Sequence, residues 1–139
     1  MKEITFKAVL ENLQPAMSFV TEALEEMGCG MKVVMAMELA TDELFSNIAF
    51  YAYKGQPEPG DAVLRLEKVD TAEGSEIHLT FSDRGIPYNP LNKQDPDVEA
   101  PLEERDIGGL GIFLVKKSMD DVQYEYADGQ NRLTIVKKI

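Results

Sequence analysis

Glu43 and Asn47 stand one helical turn apart in the run Glu43-Leu44-Phe45-Ser46-Asn47. At about 100° per residue, Val33, Met37, Ala40, Leu44, Ile48 and Tyr51 form one apolar stripe beside Glu43, and Leu39 and Phe50 flank it on the other shoulder. The polar face belongs to Glu38 and Asp42, so the pair lies in or along the edge of apolar packing, where an acid needs a partner or a task. Two readings stay open on these residues alone. One is a locally partnered carboxylate beside a buried hydrogen-bonding amide. The other is a metal-phosphate site, in which the amide oxygen of Asn47 is a hard ligand suited to Mg²⁺ and Glu43 accepts a proton from an attacking hydroxyl. Choosing between them requires a nucleotide site elsewhere in the chain.

Two glycine-containing segments are candidates for that site. Ser82-Asp83-Arg84-Gly85-Ile86-Pro87 follows a strand-like run. It is an Asp-Gly turn, or a place where Asp83 accepts hydrogen bonds from an exocyclic amine while Gly85 lets a ring approach the backbone. A carboxylate selects amino over carbonyl substituents, which favours ATP over GTP. Gly108-Gly109-Leu110-Gly111-Ile112 opens a helix-like run. Its glycines can turn several N–H groups toward one anion, with the positive end of the helix behind them, or it is a hinge. No Gly-Lys-Ser/Thr follows, so it is not a Walker loop, and the strand-turn-helix context of a dinucleotide fingerprint is missing.

These residues must be positioned by the elements around them. Alternation over roughly residues 3–10 predicts a strand, and Asn12 is placed to cap a helix over roughly 13–27 that tolerates Pro15 in its first turn. Gly28-Cys29-Gly30 ends it, and a second helix runs from about 31 to 53, up to the turn-rich Lys54 to Gly60. Ala62 to Val69 and Glu76 to Ser82 read as a hairpin across Asp70 to Ser75. From Asp83 to Gly111 four prolines and several glycines break any regular element, and a loop of about 25 residues bracketed by glycine motifs reads as a lid. A short helix over Ile112 to Met119 precedes a terminal hairpin, Val122 to Tyr126 and Arg132 to Lys138, across Asp128-Gly129-Gln130-Asn131. Strands and helices are partly segregated, so the expected class is α+β: a two-layer sandwich of one mixed sheet covered on one face by three helices.

A chain of 139 residues with 44% hydrophobic content is expected to form one domain over 1–139, with its lid at about 88–108. Its net charge of −11, from 25 acidic against 14 basic residues, argues against nucleic acid and anionic membrane as partners. Met1-Lys-Glu-Ile-Thr-Phe-Lys lacks a long apolar run, and no stretch of about 18 apolar residues occurs, so a cytoplasmic protein is expected. Cys29 is the only cysteine, which excludes an internal disulfide and a thiolate metal cluster. His78 alternates with apolar neighbours as a strand-face residue does. Neither residue is assigned a role.

The order and spacing of the motifs are more specific than any one of them. Glu-x-x-x-Asn on a long helix, Asp-x-Gly-x-Pro after a strand, a variable lid and Gly-Gly-x-Gly-Ile opening a helix together resemble the GHKL (Bergerat-fold) ATPase superfamily with its N, G1 and G2 boxes. Within it the chain looks most like the bacterial anti-sigma factor serine/threonine kinases, over nearly its whole length. The resemblance implies ATP and Mg²⁺ as cofactors, Asn47 as the Mg²⁺-binding residue, Glu43 as general base and Asp83 as the adenine-binding acid. It implies Gly85 as the first glycine-box residue and the Gly108–Ile112 run, Gly109 and Gly111 above all, as the phosphate box. Thr134 stands where the superfamily often has a Thr near adenine, and Arg105 could reach the terminal phosphate from the lid or be a solvated lid charge. The implied partners are an anti-sigma factor antagonist protein, phosphorylated on serine, and a sigma factor; a homodimer is compatible with the resemblance.

The chain departs from that subgroup where a His-Ala-Tyr run is frequent, having Tyr51-Ala52-Tyr53 instead, which bears on substrate contacts or helix packing. Pro87, where histidine kinases and heat-shock chaperones commonly have Gly, agrees with the anti-sigma subgroup. Two other functions compete with the kinase. One is a non-catalytic, ATP-responsive module that sequesters a sigma factor or other partner. The other is the ATP-binding half of a sensor histidine kinase, which would need a phosphoacceptor His on a helical domain for which 139 residues leave no room. Met27, Met31, Met35 and Met37 are either core or an adaptable partner surface.

Overall fold

The computed structural model describes residues 1–92 and 110–139. Strands β1 (Lys2–Lys7), β2 (Asp61–Thr71), β3 (Gly74–Asp83), β4 (Asp121–Ala127) and β5 (Gln130–Lys138) form one sheet in the order β1-β2-β3-β5-β4. Helices α1 (Leu13–Glu26), α2 (Met31–Asn47) and α3 (Leu110–Ser118) pack on one of its faces. The α+β two-layer arrangement is the expected one, but the sheet is antiparallel throughout rather than mixed. The connectivity explains this. Two successive helices between β1 and β2 return the chain to the end where β1 finished, and the α3–β4 excursion does the same between β3 and β5.

Strict alternation creates the two faces of the sheet. Leu64, Leu66, Ile77, Leu79 and Ile135 point to the helices and are fully buried, as are Val20 and Leu24 of α1, Met37 and Phe45 of α2 and Val115 of α3. Phe6 of β1 meets Phe45 edge-on at 6.4 Å between centroids. The opposite face carries a polar row that follows the register across all five strands, Glu3–Arg65–Thr80–Thr134–Gln123.

Three local features differ from expectation. The first is at Asn12, which provides no helix cap: its side-chain amide donates to the Lys7 carbonyl at 2.9 Å, closing a 3₁₀ turn over Leu10–Asn12 that leads into α1. The second is in α2, which does not run regularly to residue 53 but ends as a π-helical turn, Ile48–Ala52. The extra residue per turn rotates the following positions, so Tyr51 leaves the buried stripe and stands 55% exposed. The third is the terminal hairpin, which turns through two residues only, Asp128 (φ 55°) and Gly129 (φ 73°). Paired left-handed conformations match the twist of a tight hairpin, and they leave Asn131 inside β5. Of the expected lid, Tyr88, Asn89 and a 3₁₀ turn over Pro90–Asn92 are described; 93–109 lie outside the described residues.

Candidate functional site

A cavity of about 390 Å³ opens between the C-terminal end of α2 and the β3–β5–β4 side of the sheet, within the usual range for small-molecule sites. Its walls are mainly apolar, with Leu44 and Ile48 on one side and Phe81 and Leu133 on the other. The polar groups converging on it include Asn47, Asp83, Asn131 and Lys54. Asp83 ends β3, and Asn131 lies directly across from it on β5.

Asp83 is 8% exposed. Its Oδ1 accepts from the backbone N–H of Gly85 at 2.9 Å and from Asn131 Nδ2 at 3.0 Å. Burial pushes the carboxyl above its ordinary value, and these two donors pull the other way. Every fully buried side-chain N or O among the described residues has a hydrogen-bond partner. Oδ2 of Asp83 accepts no hydrogen bond among these residues, so it keeps contact with open space, and the space Asp83 lines is this cavity.

Gly85 fixes the loop that follows. A Cβ there would overlap the Ala52 carbonyl, and the next residue, Ile86, donates its N–H to that same carbonyl at 3.0 Å. The glycine thus permits close loop-to-helix contact. Tyr53 braces the same junction: its hydroxyl donates to the Asp61 carbonyl at 2.5 Å and accepts from the Arg84 N–H at 2.8 Å. Its phenol lies above its ordinary pKa, chiefly through burial, and stays protonated as that donor.

Asn47, the last residue of α2, is half-buried and lines the cavity. Glu43, one turn back and about 6 Å along the axis, is half-buried and abuts the first turn of α3. A Cβ on Gly111 would collide with the Glu43 carboxylate, so the absence of a side chain at 111 is what lets the acid lie against the α3 backbone. The fold therefore brings Asp83, Asn47, Glu43 and Gly111 into one sequence along α2, starting at the cavity.

Other expected residues fall elsewhere. Thr134 is on the opposite face of the sheet, where its hydroxyl bonds that of Thr80 at 2.8 Å, and it does not line the cavity. Strand alternation is the reason: Asn131, Leu133 and Ile135 face the helices, so Thr134 cannot. Ile112 is buried in the core, 3% exposed, and Leu110 begins α3. Arg105, Gly108 and Gly109 lie outside the described residues. The residue missed by sequence reasoning is Asn131. The Asp-Gly pair at 128–129 marks a two-residue turn, and counting alternation back from Ile135 would have placed Asn131 inward, opposite Asp83.

Residues 6–137 match the family described as histidine kinase-like ATPase domain. The serine/threonine-protein kinase BtrW of Bordetella bronchiseptica is 29% identical over 100 residues, 71% of this chain and 66% of that protein. The serine-protein kinase RsbW of Listeria monocytogenes is 29% identical over 106 residues, 73% of this chain and 64% of that protein. The chain thus spans just under two thirds of the length of these curated relatives. Among solved structures, the RsbU and RsbW domains of Rv1364c from Mycobacterium tuberculosis align with 99% of this chain and 32% of that one, at a TM-score of 0.62 and 12% identity. The SiaB–SiaC complex from Pseudomonas aeruginosa aligns with 98% and 89%, at 0.55 and 14%. At such identities the structural likeness concerns the fold.

Proposed function

The chain belongs to the histidine kinase-like ATPase domain family, and on that premise we propose that it is an ATP-dependent protein serine/threonine kinase whose substrate is an anti-sigma factor antagonist. The observation that carries this reading is the placement of Glu43 against Gly111, one turn from Asn47 and in line with the Asp83 cavity. The kinase names of the relatives support the same choice.

In this reading the adenine enters the apolar cavity and its 6-amino group donates to Asp83 Oδ2, while the phosphates extend along α2 toward Asn47 and the first turn of α3. The amide oxygen of Asn47, half-buried at the cavity wall, is a hard donor that fits Mg²⁺. When bound, Mg²⁺ would neutralise charge on the phosphates. Among the described residues no group of three or more His, Cys, Asp or Glu could hold a metal, which suits an ion held mainly by phosphate and water. The N-terminal turn of α3 offers backbone N–H groups to the terminal phosphate, and Glu43 takes the proton of the serine hydroxyl as the γ-phosphoryl group moves to the serine Oγ, its bond to the β,γ-bridging oxygen breaking so that ADP leaves. Gly108, Gly109, Leu110 and Arg105 join the phosphate end on the family resemblance alone. The same resemblance supports sequestration of a sigma factor as a second use of the chain, a homodimer, and a cytoplasmic setting. No helix among the described residues is long and apolar enough to cross a membrane.

Glu43→Gln keeps the shape of the side chain and removes the base. It is expected to bind ATP within about twofold of wild type and to lose transfer by a factor of about 100 or more. Equal transfer rates in the two proteins would remove Glu43 from the mechanism.

A further inference from the structure

Asn131 is 7% exposed and uses the whole hydrogen-bonding capacity of its amide. Nδ2 donates to Asp83 Oδ1 at 3.0 Å and to the Ile86 carbonyl at 2.9 Å. Oδ1 accepts from the Tyr88 N–H at 3.0 Å and from the Tyr124 hydroxyl at 2.5 Å. The orientation of the amide is dictated by these partners, because a backbone carbonyl can only accept and a backbone N–H can only donate. The nitrogen therefore has to face Asp83.

Two donors then converge on Asp83 Oδ1, from Asn131 and from Gly85, and that oxygen is occupied as an acceptor. Only Oδ2 is left for a ligand. Donors on its first oxygen favour the ionised form of the carboxyl, while burial opposes them and leaves its value above the ordinary one. An ionised Oδ2 accepts and cannot donate, so it welcomes an amino group and repels a carbonyl oxygen. The same side chain pins Ile86 and Tyr88, both of which line the cavity, so the selector and part of the wall share one anchor.

Resting on the ATPase reading above, the geometry points to Asn131 as the positioning residue that commits Asp83 to accepting and thereby sets a preference for 6-amino over 6-oxo purines. ADP and IDP probe this on the full chain, since they differ in the purine's 6-substituent and in the hydrogen that the 6-oxo base carries on N1. Wild type is expected to prefer ADP by about 100-fold or more, the discrimination available to a site built around one hydrogen bond. Asn131→Asp preserves size but replaces the donor with a second carboxyl, whose repulsion leads Asp83 to take up a proton; because Oδ1 still accepts from the Gly85 N–H, that proton sits on Oδ2, from which Asp83 donates. The ADP:IDP ratio should fall to within about tenfold, with IDP affinity unchanged or raised. Tyr124→Phe removes one bond to Asn131 without touching Asp83 and should keep the wild-type ratio. If Asn131→Asp does not fold, Asn131→Ala removes the donor without adding charge, and its ratio should drop by about tenfold.

A folded Asn131→Asp or Asn131→Ala protein with the wild-type ratio overturns the assignment. So does a parallel loss of affinity for both nucleotides, which is the mark of packing alone. A wild-type chain that binds neither nucleotide overturns the ATPase reading itself, an outcome distinct from both.

Discussion

At the residue scale, the site turns on one buried carboxylate. Burial raises Asp83 above its ordinary value of 3.8, more than the Asn131 and Gly85 donors lower it. A raised folded-state value means that ionised Asp83 costs stability at all pH above it, and that this cost disappears as the pH falls through the folded value toward 3.8. In the proposed reading, recognition of the amine runs the opposite way, because it would need the ionised form. Asp83→Asn is thus expected to fold with a midpoint no lower than wild type at pH 7 while losing most of its ATP affinity. On acidification toward 3.8 the two affinities should converge, since wild-type Asp83 loses its charge in a window above that value. Binding titrations from pH 7 to 4 read this out, with the mutant carrying the nucleotide's own protonation as reference. A constant affinity ratio across that range would mean that charge on Asp83 plays no part.

At the scale of elements, the sequence was legible where physical signals repeat. The period of α2, the alternation of β2 and β3 and the apolar opening of α3 all fold as their patterns indicate, because each buries one face against a single core. The π-helical turn was not legible, since Ile48-Ala49-Phe50-Tyr51-Ala52 contains no proline or glycine to announce it. Its consequence is functional: it presents the Ala52 carbonyl to Ile86 and moves Tyr51 to the cavity wall. The four-residue turn expected over Asp128–Asn131 conceals the inward position of Asn131, and the motif match at Thr134 does not specify a strand face. The juxtaposition of α2 and α3 is tertiary and has no local signature. It can be tested through Gly111→Ala, whose methyl would meet the Glu43 carboxylate at the far end of its side chain. Stability should change by less than about 1 kcal/mol, because that end can swing aside. Transfer should fall about as far as in Glu43→Gln, and wild-type transfer in a folded Gly111→Ala protein would separate the glycine from the base.

At the scale of the whole molecule, a chain of net charge −11 offers no basic field to a polyanion, so in the proposed reading ATP would be held by local means, through backbone donors, an amide and a metal. The methionines divide between the two readings of their spacing: Met37 is fully buried in the core, whereas Met31 and Met35 stand 77% and 62% exposed along α2. His78 lies on the open face of the sheet with its ring bonded to Glu76 at 2.8 Å, away from the cavity. Three functions thus differ in where labelled phosphate would go. Incubating the wild-type chain with γ-labelled ATP, Mg²⁺ and a candidate antagonist-type protein, then locating the label by peptide mapping, separates them. We expect acid-stable phosphoserine on the antagonist. Tight ATP binding with no phosphoserine would make the chain a nucleotide-responsive binding module, and acid-labile label on its own His78 would make it a histidine kinase fragment; either result would refute the serine kinase.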